Sequence, residues 1–164
     1  MSAEGVSPKK KKRKGTKDER LKRSQILLDV TRRCASLANI QDVWKELVSM
    51  TSYELDCDRG TLFLNDTETN ELFSFVAQGN LTREIRILND SGIAGHVYQT
   101  GQPKISDDPY NDPLFNHEVD QRTGYTTRNV ACVPVRTMAG DKIGVMQTLN
   151  KRAGEFNLDD LELL

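Results

Sequence analysis

The feature that most restricts this chain is a punctuated stretch near its middle. Between Asn89 and Arg128, Gly92, Gly95, Gly101, Pro103, Pro113 and Gly124 recur too closely to permit a long helix. Two short helices separated by a proline-rich crossing, with a strand after them, are what such spacing allows. The rest of the chain must then supply the sheet and the longer helices that hold this stretch in place.

The first short helix is predicted over about Ile93 to Thr100. Asp90 and Ser91 are N-cap residues, Gly101 is placed as a C-cap, and Pro103 forbids continuation. Gly92 and Gly95 let the backbone come close to whatever lies above the turn. Free N–H groups and the positive dipole end make a phosphate seat, or else a tight strand-to-helix turn with no ligand. The second helix is predicted to open at Asp112-Pro113 and to end before Gly124. Asn116, Asp120 and Thr123 stand at i, i+4 and i+7 on one face, while Leu114, Phe115 and Val119 suit a core. A polar stripe of this kind is either simply solvated or a reader of a purine edge, since amide, carboxylate and hydroxyl supply the needed donors and acceptors.

Charge divides the chain of 164 residues. Residues 1–23 carry ten Lys/Arg against Glu4, Asp18 and Glu19, which leaves 13 basic and 21 acidic residues beyond. An acidic globule with a basic tail follows. The tail, residues 1–17, cannot bury a core and is expected to be disordered. Its Lys9–Lys14 run resembles a nuclear-import signal and equally suits anionic lipid or nucleic acid, although no aromatic residue interrupts it to stack on bases. No apolar run is long enough to span a bilayer and no signal peptide is visible, so a cytoplasmic setting is expected, or a nuclear one if the run is read as import signal. Cys34, Cys57 and Cys132 are widely spaced and form no C-x-x-C pair, which suits reduced thiols.

A helix is expected from Asp18 to about Ala38, with Leu27, Val30, Cys34 and Leu37 forming the seam of a short coiled coil or a sheet-facing stripe. Asn39 caps a second helix with Asp42 as its acidic partner, and Ile40, Val43, Trp44, Leu47, Val48 and Thr51 form the buried stripe. Strands are expected at Arg59–Leu64, Leu72–Gln78, Glu84–Leu88, Asn129–Arg136 and Lys142–Leu149, joined mostly as hairpins. On the first, Arg59, Thr61 and Phe63 point one way and Leu62 and Leu64 the other. Phe156–Leu164 opens a final helix that stops with Leu158, Leu161, Leu163 and Leu164 exposed and so reads as truncated. The fold class is α+β: an antiparallel sheet, long helices on one face, and short helices and loops as a lid on the other.

From about Ile40 onward the residues resemble the GAF domains that bind cyclic nucleotides in phosphodiesterases and in cyanobacterial adenylate cyclases. The resemblance is carried by Gly92-Ile93-Ala94-Gly95-His96-Val97, by Asp112-Pro113-Leu114-Phe115 continuing to Val119-Asp120, and by Thr123-Gly124-Tyr125 through Thr127-Arg128-Asn129. Asn150, Lys151, Phe156 and Asp160 resemble the family's Asn-Lys-Phe-Asp-Glu signature, with Leu161 in place of the Glu. The resemblance divides the chain into a tail (1–17), a connecting or dimerisation helix (18–38) and a GAF domain (39–164).

It further implies a regulatory module rather than an enzyme, with cAMP or cGMP as ligand and an attached or partner signalling enzyme as output. The backbone of Ile93 and Ala94 would meet the cyclic phosphate. Arg59 and Thr61 match pocket-lining positions, and Asn116, Asp120, Thr123 and Thr127 match lid positions around base and ribose. Gln147 matches a position where some relatives carry Glu, and Gln78 aligns loosely. The pair of Arg59 and Thr61 resembles the cyclase relatives, which favours cAMP. A homodimer through the N-terminal helix completes the implied picture.

Other functions have less support in the residues. Methionine sulfoxide reduction, as in some stand-alone GAF proteins, needs pocket cysteines, and the pocket candidates contain none. His96 and His117 have no nearby second ligand at metal spacing, so neither a metal nor a haem is expected. A GAF scaffold that binds no nucleotide is the runner-up.

Overall fold

A computed structural model describes residues 17–35, 37, 39–79 and 84–164. The basic tail lies outside the described residues except for Lys17, and so do Asn80, Ala38 and the side chains of Leu27 and Cys34. Helix α1 spans Lys17–Ala35 and belongs to a unit separate from the one formed by Leu37–Leu164. Leu21 and Leu28, seven residues apart on α1, are about half exposed or more. No described helix is long and apolar enough to cross a membrane.

The larger unit begins with α2, Ile40–Glu54. The Asn39 side chain accepts from the Asp42 amide at 2.9 Å and donates to the Asp42 carboxylate at 2.7 Å, the reciprocal cap that the sequence suggests. Val48 is fully buried, but Ile40 is 64% exposed and is not part of the buried stripe. Ile40 is the first helical residue and projects beyond the edge of the contact. Ser52 closes the face instead, its hydroxyl donating back to the Val48 carbonyl.

Six strands follow: β1 Cys57–Asp66, β2 Glu71–Ala77, β3 Arg86–Leu88, β4 Lys104–Ser106, β5 Val130–Arg136 and β6 Lys142–Lys151. They form one antiparallel sheet in the order β3-β2-β1-β6-β5-β4. The sequence predicts five of the six. Strand β4 escapes because three residues between Pro103 and Asp107-Asp108 carry no readable period. Opposite the Leu62–Phe63 step, β2 holds one extra residue, Phe75. This bulge lets both Phe75 and Val76 face the helix side, where the even alternation would allow only one.

Alternation then builds two cores. On one face Val48, Leu62, Val76 and Met146 pack with Trp44, and Leu55, Cys57, Ala131 and Phe156 pack with the C-terminal residues. Helix α5, Leu158–Leu163, is capped by Asn157 with a full capping box to Asp160. Leu161, Leu163 and Leu164 are half-buried on this core, and of the expected exposed leucines only Leu158 stands free. Gly60 permits the close approach of α2, for a Cβ there would meet Ser52 Oγ at 2.5 Å and Val48 Cγ1 at 2.8 Å. On the other face Phe63, Leu72, Val130, Cys132 and Val145 pack against Ile93, Ala94 and Val97 of α3, Gly92–Thr100.

Candidate functional site

Helix α3 lies with its two ends treated differently. Gly101 adopts the left-handed conformation and returns its N–H to the Val97 carbonyl at 2.8 Å. Two cations from the β5–β6 hairpin reach the same end: Arg136 donates to the Gly101 carbonyl at 3.1 Å and Lys142 to the Gln99 carbonyl at 2.6 Å. At the opposite end Ser91 makes no side-chain cap, and the first turn carries no acidic residue. The partial positive charge of that end is therefore unopposed by any side-chain cap. Gly95 is required there, since a Cβ would come within 2.6 Å of the Asp90 carbonyl carbon.

The lid is folded differently from the sequence expectation. Pro109–Asn111 is a single 3-10 turn, Asp112-Pro113 continues as a turn, and helix α4 begins only at His117 and ends at Thr123. Asp112 does not cap a helix. Its carboxylate accepts from the Leu114 amide at 3.0 Å and pairs with Lys104 at 2.9 Å, which ties the turn to β4. Asn116 is the actual N-cap: its Oδ1 accepts from the Glu118 amide and its Nδ2 donates to Ser91 Oγ at 3.1 Å. The expected continuous stripe of Asn116, Asp120 and Thr123 is thus broken. Thr123 donates its hydroxyl to the Val119 carbonyl at 2.8 Å, within its own helix.

Asp120 is 6% exposed and is the hub of the lid. Its Oδ2 accepts from the Tyr110 hydroxyl at 3.0 Å and the Thr127 amide at 2.6 Å, and its Oδ1 accepts from the Thr127 hydroxyl at 2.8 Å. The loop that carries Thr127 is anchored from below by Asn150, which is buried in the left-handed conformation at φ 57°. Asn150 Oδ1 accepts from the Arg128 amide at 2.6 Å, and its Nδ2 donates to the Tyr125 hydroxyl at 2.8 Å and the Thr126 carbonyl at 2.9 Å. Asn129 Oδ1 accepts from the Lys151 amide, and Lys151 Nζ reaches Asp160 Oδ2 at 2.5 Å. Asn150, Lys151, Phe156 and Asp160 therefore form scaffold under the loop, with Phe156 in the core below.

Between α3, α4 and the sheet lies a cavity of about 70 Å³. Ile93, Ala94, Asn116, Asp120, Thr127 and Gln147 line it, six of the ten expected ligand residues. Phe63, Phe115, Val119, Val130 and Leu149 supply the apolar wall. Sequence reasoning left Phe115 and Val119 to the core and assigned no role to Val130 or Leu149, although alternation already placed Phe63 on the same face as Thr61. Thr61 is buried on that face opposite Gln147 in the β1–β6 register, outside the cavity wall. Three other expected residues also stand off it. The Arg59 guanidinium stacks over the Tyr125 ring at 3.9 Å, Gln78 accepts from the Gly60 amide at 2.7 Å, and Thr123 is engaged within α4. Each has found a partner nearer than the cavity.

Among the described residues no cysteine lines the cavity. Cys132 is fully buried beneath α3 and burial pushes its thiol up, while burial raises Cys57 to about 11 against the pull of the neighbouring Thr148 hydroxyl. His117 packs edge-on against Tyr110 and Phe115 at 5.0 and 5.1 Å. Among the described residues no group of three His, Cys, Asp or Glu is placed to hold a metal ion.

Comparison with known proteins gives one family. A family model described as GAF domain matches residues 39–164. The dual 3',5'-cyclic-AMP and -GMP phosphodiesterase 11 of Drosophila melanogaster is 31% identical over 153 residues, covering 84% of this chain and 10% of that protein. A probable 3',5'-cyclic phosphodiesterase of Caenorhabditis elegans is 32% identical, covering 85% of this chain and 21% of that protein. The chain thus spans between about a tenth and a fifth of the relatives' length. The GAF domain of a Coxiella burnetii phosphoenolpyruvate-protein phosphotransferase superposes with a TM-score of 0.76 at 19% identity, covering 85% of this chain and 84% of that one. A free methionine-R-sulfoxide reductase of Neisseria meningitidis, solved with its substrate, gives 0.72 at 19% identity, covering 92% and 85%. Likeness at that identity concerns the fold.

Proposed function

Because the chain belongs to the GAF domain family, we propose that it is a regulatory module that takes a 3',5'-cyclic nucleotide into the cavity under α3. The observation that carries this reading is the position of the cavity, at the uncapped amide end of α3 with Asn116, Asp120, Thr127 and Gln147 on its walls. Ile93 and Ala94 amides there suit a singly charged cyclic phosphate, which needs hydrogen-bond donors and a positive dipole end more than a fixed cation. Asn116, Thr127 and Gln147 suit the base and ribose, with Thr61 buried beside Gln147 outside the wall. Arg59 and Gln78 would brace the neighbouring loop and strand, and Asp120 and Thr123 would hold the lid together.

The cavity of about 70 Å³ is smaller than the roughly 300 Å³ at the low end of ligand pockets. Entry of a nucleotide therefore requires the lid over residues 107–128 to move and to close again around the ligand, an order change of the kind that serves as a switch. The change would pass through Asn150 and Lys151 to α5, and on to an attached or partner enzyme such as a phosphodiesterase or adenylate cyclase. Helix α1 would serve as connector or homodimer contact in a cytoplasmic protein. The preference for cAMP over cGMP rests on the resemblance of Arg59 and Thr61 to cyclase relatives, since no free group on the cavity wall separates the two purines.

Isothermal titration of the protein with cAMP and cGMP tests the reading: heat saturating at one site per chain is expected. No heat with either nucleotide at millimolar concentration overturns it. The smallness of the cavity favours, as second reading, a scaffold that binds no nucleotide; it predicts that Asp120→Ala alters stability alone.

A further inference from the structure

The hydrogen-bond directions around Asp120 fix what the cavity can accept. A carboxylate offers lone pairs and no hydrogen, so the Thr127 hydroxyl must donate to Asp120 Oδ1, at 2.8 Å. Thr127 is 2% exposed and lines the cavity, and its amide is fixed to Oδ2 of the same carboxylate at 2.6 Å. With its one hydrogen committed, the hydroxyl has only lone pairs to offer a ligand in the cavity. The neighbouring wall residues differ. Asn116 already accepts and donates within the protein, and the side-chain amide of Gln147 has no hydrogen-bond partner among the described residues, so it can rotate to suit a donor or an acceptor.

We infer that Asp120 is a positioning residue that locks Thr127 as an obligatory acceptor, so that the cavity selects ligands presenting an N–H or O–H donor at that point. The inference rests on the nucleotide-binding reading above. On a cyclic nucleotide the donor is either a purine amino group or the ribose 2'-hydroxyl. A buried acceptor left facing a ligand that lacks the donor loses a hydrogen bond and its desolvation, about tenfold in affinity.

The test is titration of cAMP, its 6-deamino analogue, its 2'-deoxy analogue, cGMP and its 2-deamino analogue cIMP. The proteins are wild type, Thr127→Val, Thr127→Ser, Asp120→Asn, Asp120→Ser and Tyr110→Phe. At least one analogue is expected to bind wild type about tenfold more weakly than its parent, the deamino arms assigning the donor to the base and the 2'-deoxy arm to the sugar. That gap persists in Thr127→Ser and in Tyr110→Phe, which removes a neighbouring donor to Asp120 without touching Thr127. It falls below about threefold in Thr127→Val and in a cooperatively melting Asp120→Ser, whereas Asp120→Asn, which keeps one acceptor oxygen, retains some or all of it. A wild type that binds every analogue as well as its parent overturns the inference and leaves nucleotide binding standing. So does a gap that survives in Thr127→Val or in a cooperatively melting Asp120→Ser. A folded wild type that binds none of the five ligands overturns both.

Discussion

Asn150 shows how one side chain can decide a loop. It holds a left-handed backbone that asparagine tolerates better than most residues, and its amide organises 125–128 from beneath. Asn150→Ala leaves the Arg128 amide and the Thr126 carbonyl, both held in part-buried hydrogen bonds, without these partners. The expected loss of stability is about 3 kcal/mol, read from urea denaturation. Asn150→Gly relieves the backbone and recovers less than half, since the hydrogen bonds are the larger share. The thiols behave differently. In a Cys34→Ser background, Cys57 and Cys132 are expected to stay unmodified by a disulfide reagent at pH 8 in the native protein, because burial keeps both protonated and inaccessible. Both then react on unfolding. Rapid native-state labelling of either would reopen a redox role.

At the scale of elements, the lid is a set of short pieces tied to the sheet by polar contacts rather than by a broad apolar face. The Lys104–Asp112 pair joins its first turn to β4. Burial pushes the Asp112 carboxyl up, but hydrogen bonds from Lys104, the Leu114 amide and Ser106 outweigh it and leave the group below the usual carboxylate range. A depressed folded-state value means that the contribution is complete above the unfolded value, about 4, and is lost as the pH falls beneath it. Asp112→Asn should therefore lower stability at pH 7 and flatten the acid limb of stability below about pH 4, followed by thermal melts across that range. An unchanged acid limb would assign that limb to other carboxylates. Helix α3, by contrast, has its carbonyl end fixed by Arg136 and Lys142.

For the whole domain, ligand binding and stability are linked. A nucleotide that binds only the folded state adds about 2.7 kcal/mol at a hundred times its Kd, seen as a raised thermal midpoint. Hydrogen exchange should slow most in 107–128 and secondarily around 150–160, because Asn150 and the Lys151–Asp160 pair connect the two. Protection confined to α3 alone would show that the lid does not close. The division of faces makes this possible: α2 and α5 fill one side of the sheet with continuous core, whereas the other side holds a cavity.

Much of this was readable in the residues. Alternation in β1, β2, β5 and β6 follows from the period-two geometry of a strand, and the Asn39 and Gly101 caps follow from local hydrogen bonding and backbone freedom. The chain by itself therefore determined its antiparallel α+β class and the short α3, whereas Lys151 and Asp160 were singled out only by the family resemblance and the missing side-chain cap at Ser91 only by the structure. Tertiary packing decided what local rules cannot see. It moved the start of α4 from Pro113 to His117 by giving Asp112 a lysine, drew Arg59 onto Tyr125, and made Asp120, on the cavity wall, the acceptor of three internal hydrogen bonds. A polar side chain engages whichever partner the fold brings within about 3 Å, and those partners lie far away in sequence.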